Sequence, residues 1–203
     1  MNLLIKTLKI IGIVLSIILG LAFMAIRREN RKEKADYFIG GYLNNINQLT
    51  YKSVKIGTSN LYIKLPFALS PSSVALPQSM KDKLAKFETF IFSKDKSFSG
   101  KISYMVWKSG IEYSLETGSD GAIDNIKTLP GVEKVLDDRE YFKIGKYEGN
   151  IIDGVVYRYG KSFQIKAAIL KSGQEVWIVM INFLNHQDEN IANDIINPLK
   201  NSK

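Results

Sequence analysis

The longest apolar run in the chain, Ile10–Ile26 (IIGIVLSIILGLAFMAI), carries no charge over 17 residues. As a helix it spans about 25 Å, and Leu3–Leu8 lengthens it enough to cross a hydrocarbon core of about 30 Å. Lys6 and Lys9 then reach the headgroups by snorkelling. The pattern predicts a single N-terminal transmembrane helix. A cleaved signal peptide would use the small-residue site Gly20-Leu21-Ala22, but the apolar run continues past it through Phe23–Ile26. A buried core helix is disfavoured by the charge clusters on both sides of the run.

Residues 27–35 (RRENRKEKA) form a charged junction. Residues 36–50 read as a linker or a short helix, with Tyr37, Phe38, Tyr42 and Ile46 as its apolar positions. Gly40 and Gly41 weaken a helix there by about 1 kcal/mol each. From Tyr51 the period changes. Val54–Ile56 and Leu61–Leu65 flank Gly57-Thr58-Ser59-Asn60, a hairpin-turn composition. Pro66 ends the second run, and residues 66–78 read as a loop. Met80–Lys86 reads as one or two helical turns. Phe87–Ser93 and Lys101–Trp107 are strand candidates. Ser119 or Asp120 is placed to cap a helix over Ala122–Leu129, which Pro130-Gly131 stops.

Tyr141–Ile144, Ile151–Tyr159, Ser162–Leu170 and Glu175–Phe183 predict an antiparallel meander, with Gly160-Lys161 and Lys171–Gln174 as compact turns. Phe163, Ile165, Ala167 and Ile169 alternate with Gln164, Lys166 and Ala168. Glu175–Phe183 differs, because both of its faces are apolar: Val176, Ile178 and Met180 on one, Trp177, Val179 and Ile181 on the other. A strand of that kind must lie centrally, covered on both sides. Asp188 is placed to cap a last amphipathic helix along Ile191, Ala192, Ile195, Ile196 and Leu199, which Pro198 ends or kinks. The predicted class is α+β: an antiparallel β-sheet with helices packed on it, preceded by the single N-terminal transmembrane helix. The organisation is residues 1–35 as anchor and junction, 36–50 as linker, and 51–203 as the α+β domain.

Charge refines this picture. The formal net charge is +8. Residues 1–35 hold seven basic and two acidic groups, so the folded part is only weakly basic. A nucleic-acid domain concentrates basic charge in the folded part. Here it flanks the apolar run, where it meets anionic headgroups, so the lipid bilayer is the expected partner and nucleic acid is not. Cysteine is absent, which excludes disulfides, thiolate metal sites and thiol catalysis.

Three stretches resemble the Mog1/PsbP-like superfamily, and within it bacterial domains related to DcrB. They are Leu61–Phe67 with its Leu-Pro ending, Gly131–Val135 followed by Gly154–Tyr157, and Gly173–Val179 leading to Ile191–Leu199. The resemblance covers roughly 51–200. It implies a binding or assembly role without catalysis, and supplies no catalytic residue. The family's final helix usually has Ser where Pro198 stands. Lipoprotein members need a Cys after the apolar segment, so this chain would be anchored by the helix itself.

Searching for chemistry yields little. His186 is the one histidine. It cannot build a His-rich metal site, and no Gly-x-Ser-x-Gly elbow supplies a triad serine. It reads as a surface or capping residue. Gly160-Lys161-Ser162 has Val155 where a phosphate loop needs glycine, and strands on both sides, so it reads as a hairpin turn. Asp137, Asp138 and Glu140 read as a solvated turn, and Asp188-Glu189 as helix capping. Tyr104, Trp107, Tyr157, Tyr159, Phe163 and Trp177 read as core, with Arg158 and Lys166 too dispersed for a nucleic-acid platform. No catalytic, cofactor-binding or metal residue is assigned.

The functional expectation is a membrane-anchored, non-catalytic domain binding a protein partner or cell-envelope component. A membrane-bound enzyme and a lipid-contacting accessory module are the alternatives. Five basic residues follow the apolar run and two precede it, which by the positive-inside rule retains the domain in the cytoplasm. The short basic N-terminus instead has the form of a signal-anchor, and the reading adopted is an extracytoplasmic domain. A single cysteine at Ser172 tests this. An impermeant maleimide should label it in intact cells, and labelling only after lysis would place the domain in the cytoplasm.

Overall fold

The computed structural model describes residues 49–58 and 61–201. The expected membrane helix, the charged junction, the linker up to residue 48, and Ser59-Asn60 of the expected turn lie outside the described residues. Among the described residues no helix is long and apolar enough to cross a membrane.

The strands are β1 (Lys52–Lys55), β2 (Tyr62–Leu65), β3 (Ser70–Ser72), β4 (Leu84–Ser93), β5 (Phe98–Trp107), β6 (Val132–Ile144), β7 (Tyr147–Arg158), β8 (Lys161–Ser172) and β9 (Glu175–Phe183). The helices are α1 (Gln78–Lys81), α2 (Leu115–Lys127) and α3 (His186–Ile196), with a 3-10 turn over Asn197–Asn201. β1 and β2 form a separate antiparallel hairpin. The other seven strands make one antiparallel sheet in the order β3-β4-β5-β9-β8-β7-β6.

β9 is the fourth of seven strands, as its two apolar faces require. On one face Val176, Ile178 and Met180 join Ile152, Ile165 and Ala167 beneath Ala122, Ile123 and Ile126 of α2. On the other, Trp177, Val179 and Ile181 pack with Ile102, Ile151 and Ala168. There the cover is double: Ile191, Ala192, Ile195 and Ile196 of α3, and Ile63 and Leu65 of the hairpin. Each such side chain withdrawn from water contributes about 1.5–3 kcal/mol.

The hairpin is fastened by polar contacts as well. The indole N–H of buried Trp177 donates to the Ile56 carbonyl at 2.8 Å. Thr58 gives its backbone N–H and its hydroxyl to Glu175 Oε1 at 3.1 and 2.6 Å, and the Tyr104 hydroxyl donates to the same oxygen. Gly57 has φ +92°, and a Cβ there would stand 2.6 Å from the Tyr104 ring.

Several boundaries differ from the sequence reading. α2 begins at Leu115, capped by Ser114, whose Oγ accepts the Thr117 N–H at 3.2 Å; Ser119 and Asp120 lie inside it. Between Leu115 and Ala122 the helix has no large apolar residue, and Gly118 there sits against Tyr113, where a Cβ would be 1.9 Å from the hydroxyl oxygen. The apolar period therefore starts late. β6 begins at Val132, nine residues before the expected strand, so Asp137, Asp138 and Glu140 lie on an edge strand and not on a turn. Solvent on its outer side hides the alternation. β3, with Pro71, occupies the expected loop; an edge strand tolerates proline's missing donor. The helical turn expected over Met80–Lys86 is only α1, and β4 takes over at Leu84.

The β7–β8 hairpin turn lies one residue earlier than expected, at Tyr159-Gly160, with φ 50° and 68°, and Lys161 already belongs to β8. Tyr157 and Tyr159 are exposed, against the expectation of core. Tyr159 instead lies over Gly131, and its N–H donates to the Gly131 carbonyl at 3.0 Å. The β8–β9 turn centres on Gly173-Gln174, so Gln174 is a more exposed position for the label than Ser172.

α3 is capped by Asn185, whose side chain accepts the Asp188 N–H at 2.9 Å. Asp188, expected as the cap, is fully buried in the first turn. Its carboxylate accepts from Lys94 Nζ at 2.9 Å, Ser97 Oγ at 2.7 Å and Asn185 Nδ2 at 2.8 Å, tying α3 to the β4–β5 turn. Asp188→Ala should lower unfolding stability by about 2–3 kcal/mol, since buried charge-assisted bonds lose their acceptor. Asp188→Asn should recover part of that loss. Denaturant midpoints check both, and an unchanged midpoint for the alanine variant would show that the cluster does not hold the helix.

Candidate functional site

The cover over the α3 face is incomplete, and the strand register shows where it stops. Glu140, Ile151, Ala168 and Val179 form one cross-strand row. The next row is Asp138, Asp153, Lys166 and Ile181, and the one after it Leu136, Val155, Gln164 and Phe183. Outermost are Lys134, Tyr157 and Ser162. Apolar residues give way to charged ones within a single step. That change marks the boundary between covered and open sheet.

The open part is a shallow cleft of about 480 Å³. Leu136, Val155 and Phe183 give it apolar ground, Asp138, Asp153 and Lys166 cross it, and Glu189 from the first turn of α3 forms its rim. Lys166 Nζ stands 2.5 Å from Asp153 Oδ1, the lysine side chain only 10% exposed and the aspartate 57%. The ammonium therefore lies beneath a carboxylate that still faces water. With Asp138 and Glu189 beside this pair, the cleft is acidic on balance. At its inner end Lys200 contacts Glu140.

Asp138 also acts on the sheet edge. The two-residue turn Gly145-Lys146 makes Ile144 and Tyr147 a hydrogen-bonded pair, so odd-numbered residues of β6 direct their backbone groups away from β7. One of these outward donors, the Arg139 N–H, is taken by Asp138 Oδ1 at 2.9 Å. The Arg139 guanidinium bonds Asp137 Oδ2 at 2.8 Å and Asp120 Oδ1 at 2.6 Å, linking β6 to α2.

Asp138 is engaged by a backbone donor and Asp153 by Lys166, and neither carboxylate is enclosed as an acid–base catalyst requires. Among the described residues no group of three His, Cys, Asp or Glu is placed to hold a metal ion. His186 lies on the surface at the start of α3, its Nδ1 2.9 Å from Glu189 Oε2. Lys101 is buried on the opposite sheet face between Ile91 and Met180, and burial pulls its pKa down to about 8. It takes no part in the cleft.

Sequence reasoning assigned no role to Asp153, Leu136 or Val155, and weighed Lys166 only as part of a nucleic-acid platform. One signal was available. The second face of β8 runs Gln164, Lys166, Ala168, Leu170, polar to apolar, and that of β7 runs Val155, Asp153, Ile151. Such a change along one face marks where a cover ends.

No protein-family model matches the chain, and no curated protein matches it. Solved structures similar to it include the following two. One is PA94 of Pseudomonas aeruginosa, a protein of unknown function, 14% identical over 69% of this chain and 86% of that chain, with a TM-score of 0.36. The other is LpqN of Mycobacterium tuberculosis, involved in cell envelope biogenesis, 14% identical over 77% of this chain and 90% of that chain, also with a TM-score of 0.36. Similarity at this level assigns neither a family nor an activity.

The Lys166–Asp153 pair should respond asymmetrically to substitution. Asp153→Ala leaves a nearly buried ammonium without its partner and should cost roughly 1–3 kcal/mol. Lys166→Met leaves a carboxylate that water can solvate, and should change stability by less than about 1 kcal/mol. Equal losses in the two unfolding curves would contradict the placement of the lysine under the aspartate.

Proposed function

We propose that this chain is a membrane-anchored, non-catalytic recognition domain that binds a protein partner through the open face of β6–β8. The observation behind this reading is an uncovered stretch of sheet in which an apolar strip adjoins a row of carboxylates. Leu136 is 45% and Tyr157 39% exposed there. Exposed apolar surface rimmed by charge is a usual feature of protein-binding sites. A segment combining basic and apolar side chains is the complementary partner.

The anchoring part of the proposal rests on the 17 uncharged residues Ile10–Ile26 and the basic groups on either side of them. The sequence resembles Mog1/PsbP-like domains, and the binding or assembly role which that resemblance implies is consistent with the cleft. In this proposal the domain lies outside the cytoplasm, a reading supported by the signal-anchor form of the N-terminus.

A photoreactive phenylalanine analogue at Tyr157, compared with one at Tyr62 on the hairpin, tests the recognition face in intact cells. Tyr62 is 50% exposed and is not among the residues that line the cleft. A discrete adduct of raised mass at position 157 but not at 62, lost with Leu136→Glu, is the expected result. Adducts at both positions alike, or at neither, would remove the basis for assigning recognition to this face.

A further inference from the structure

A segment of the stated chemistry is present in the chain itself. Arg27, Arg28, Arg31, Lys32 and Lys34 lie within eight residues, followed by Tyr37, Phe38, Tyr42 and Ile46. These basic and apolar groups are complementary in kind to a face on which Asp138, Asp153 and Glu189 adjoin Leu136, Val155 and Tyr157.

The point at which the chain joins the fold favours contact. Tyr51, just before β1, donates its hydroxyl to Asp194 Oδ2 of α3 at 2.9 Å. Partial burial and that carboxylate push the phenol pKa up to about 12, so it remains a donor at any physiological pH. The chain is thus fixed beside the helix whose first turn carries Glu189, five residues before Asp194 and so about 7.5 Å along the axis. Lys34 and Tyr51 are separated by sixteen residues. Sixteen residues reach at most about 55 Å when fully extended. Crossing one helix width of about 10 Å to the cleft lies well within that reach. A tether of this kind supplies an effective concentration on the order of millimolar, so an intrinsic affinity of the same order suffices for substantial occupancy.

We infer that the basic junction, residues 27–34, docks in cis on the open face of β6–β8, its cations against Asp138, Asp153 and Glu189. This rests on the reading of that face as a recognition surface and adds its regulation: the junction masks the face, and a partner must displace it. Anionic lipid headgroups attract the same cations, so the junction is shared between membrane and cleft.

The absence of cysteine makes the test direct. The full chain, purified into nanodiscs of zwitterionic lipid, carries one cysteine at Asn30 and a second at either Gln164 in the cleft or Gln174 in the β8–β9 turn. Mild oxidation should join Asn30 to Gln164 within one copy, severalfold faster than to Gln174. The preference should fall in 1 M salt, where charges are screened beyond about 3 Å, and with Asp138→Asn/Glu189→Gln. Those substitutions remove charge but keep oxygen acceptors for the Arg139 N–H and His186, so the fold is retained, and the Gln174 pair in the same background verifies this. Equal rates at the two positions, a preference indifferent to salt and to the double substitution, or a product of doubled mass would overturn docking in cis. The Tyr157 photo-adduct separates the two ideas: if it forms while the Gln164 preference is absent, the masking fails and the recognition face stands.

Discussion

Strand β9 has no polar face, and most of the architecture answers that constraint. A strand apolar on both sides must lie inside a sheet, and the sheet must then be covered twice. One cover is α2. The other is assembled from α3 and the β1–β2 hairpin, elements that stand at opposite ends of the described chain. Trp177 joins them: its ring packs against Tyr104 and Tyr147, and its indole N–H holds the carbonyl of Ile56. A two-stranded hairpin is marginal by itself in water, so β1 and β2 owe their stability to this docking.

The second fastening is ionic. Asp188 gathers an ammonium, a hydroxyl and an amide around one buried carboxylate at the start of α3, where the helix dipole also favours negative charge. Holding α3 by its first turn fixes where the cover ends. Past that turn no described helix lies above this face of β6–β8, and the cleft is what is left of it. Site and scaffold are therefore one problem: the position of α3 decides how much of the strands is open.

Much of the scaffold was legible in the sequence. β9 was read with its bounds intact, because continuous apolar residues between two turns leave few alternatives, and the β7–β8 turn followed from Gly160. β6 was only one-third visible. An edge strand facing water on one side has no reason to alternate, and its register is imposed by β7. The start of α2 was hidden by Gly118, which makes room for Tyr113. Tyr157 and Tyr159 were taken for core because strand aromatics usually are, whereas the first stands in the open row and the second closes over Gly131. The cleft was the least legible part. Asp138, Asp153 and Lys166 are far apart in the chain and meet only through strand register, and their exposure depends on where a helix from the C-terminal end happens to stop.

The bond from Asp138 to the Arg139 N–H has a wider consequence. β6 is thirteen residues long and forms the outer edge of the sheet, the arrangement most prone to recruit strands from other molecules. Asp138 occupies one of the outward donors with its own carboxylate, while its charge contributes to the acidic face. Under the proposed role, the guarding of an exposed edge and the acidity of a binding face reside in a single side chain. Residues that keep an oxygen acceptor there, such as asparagine or serine, would preserve the first while forfeiting the second.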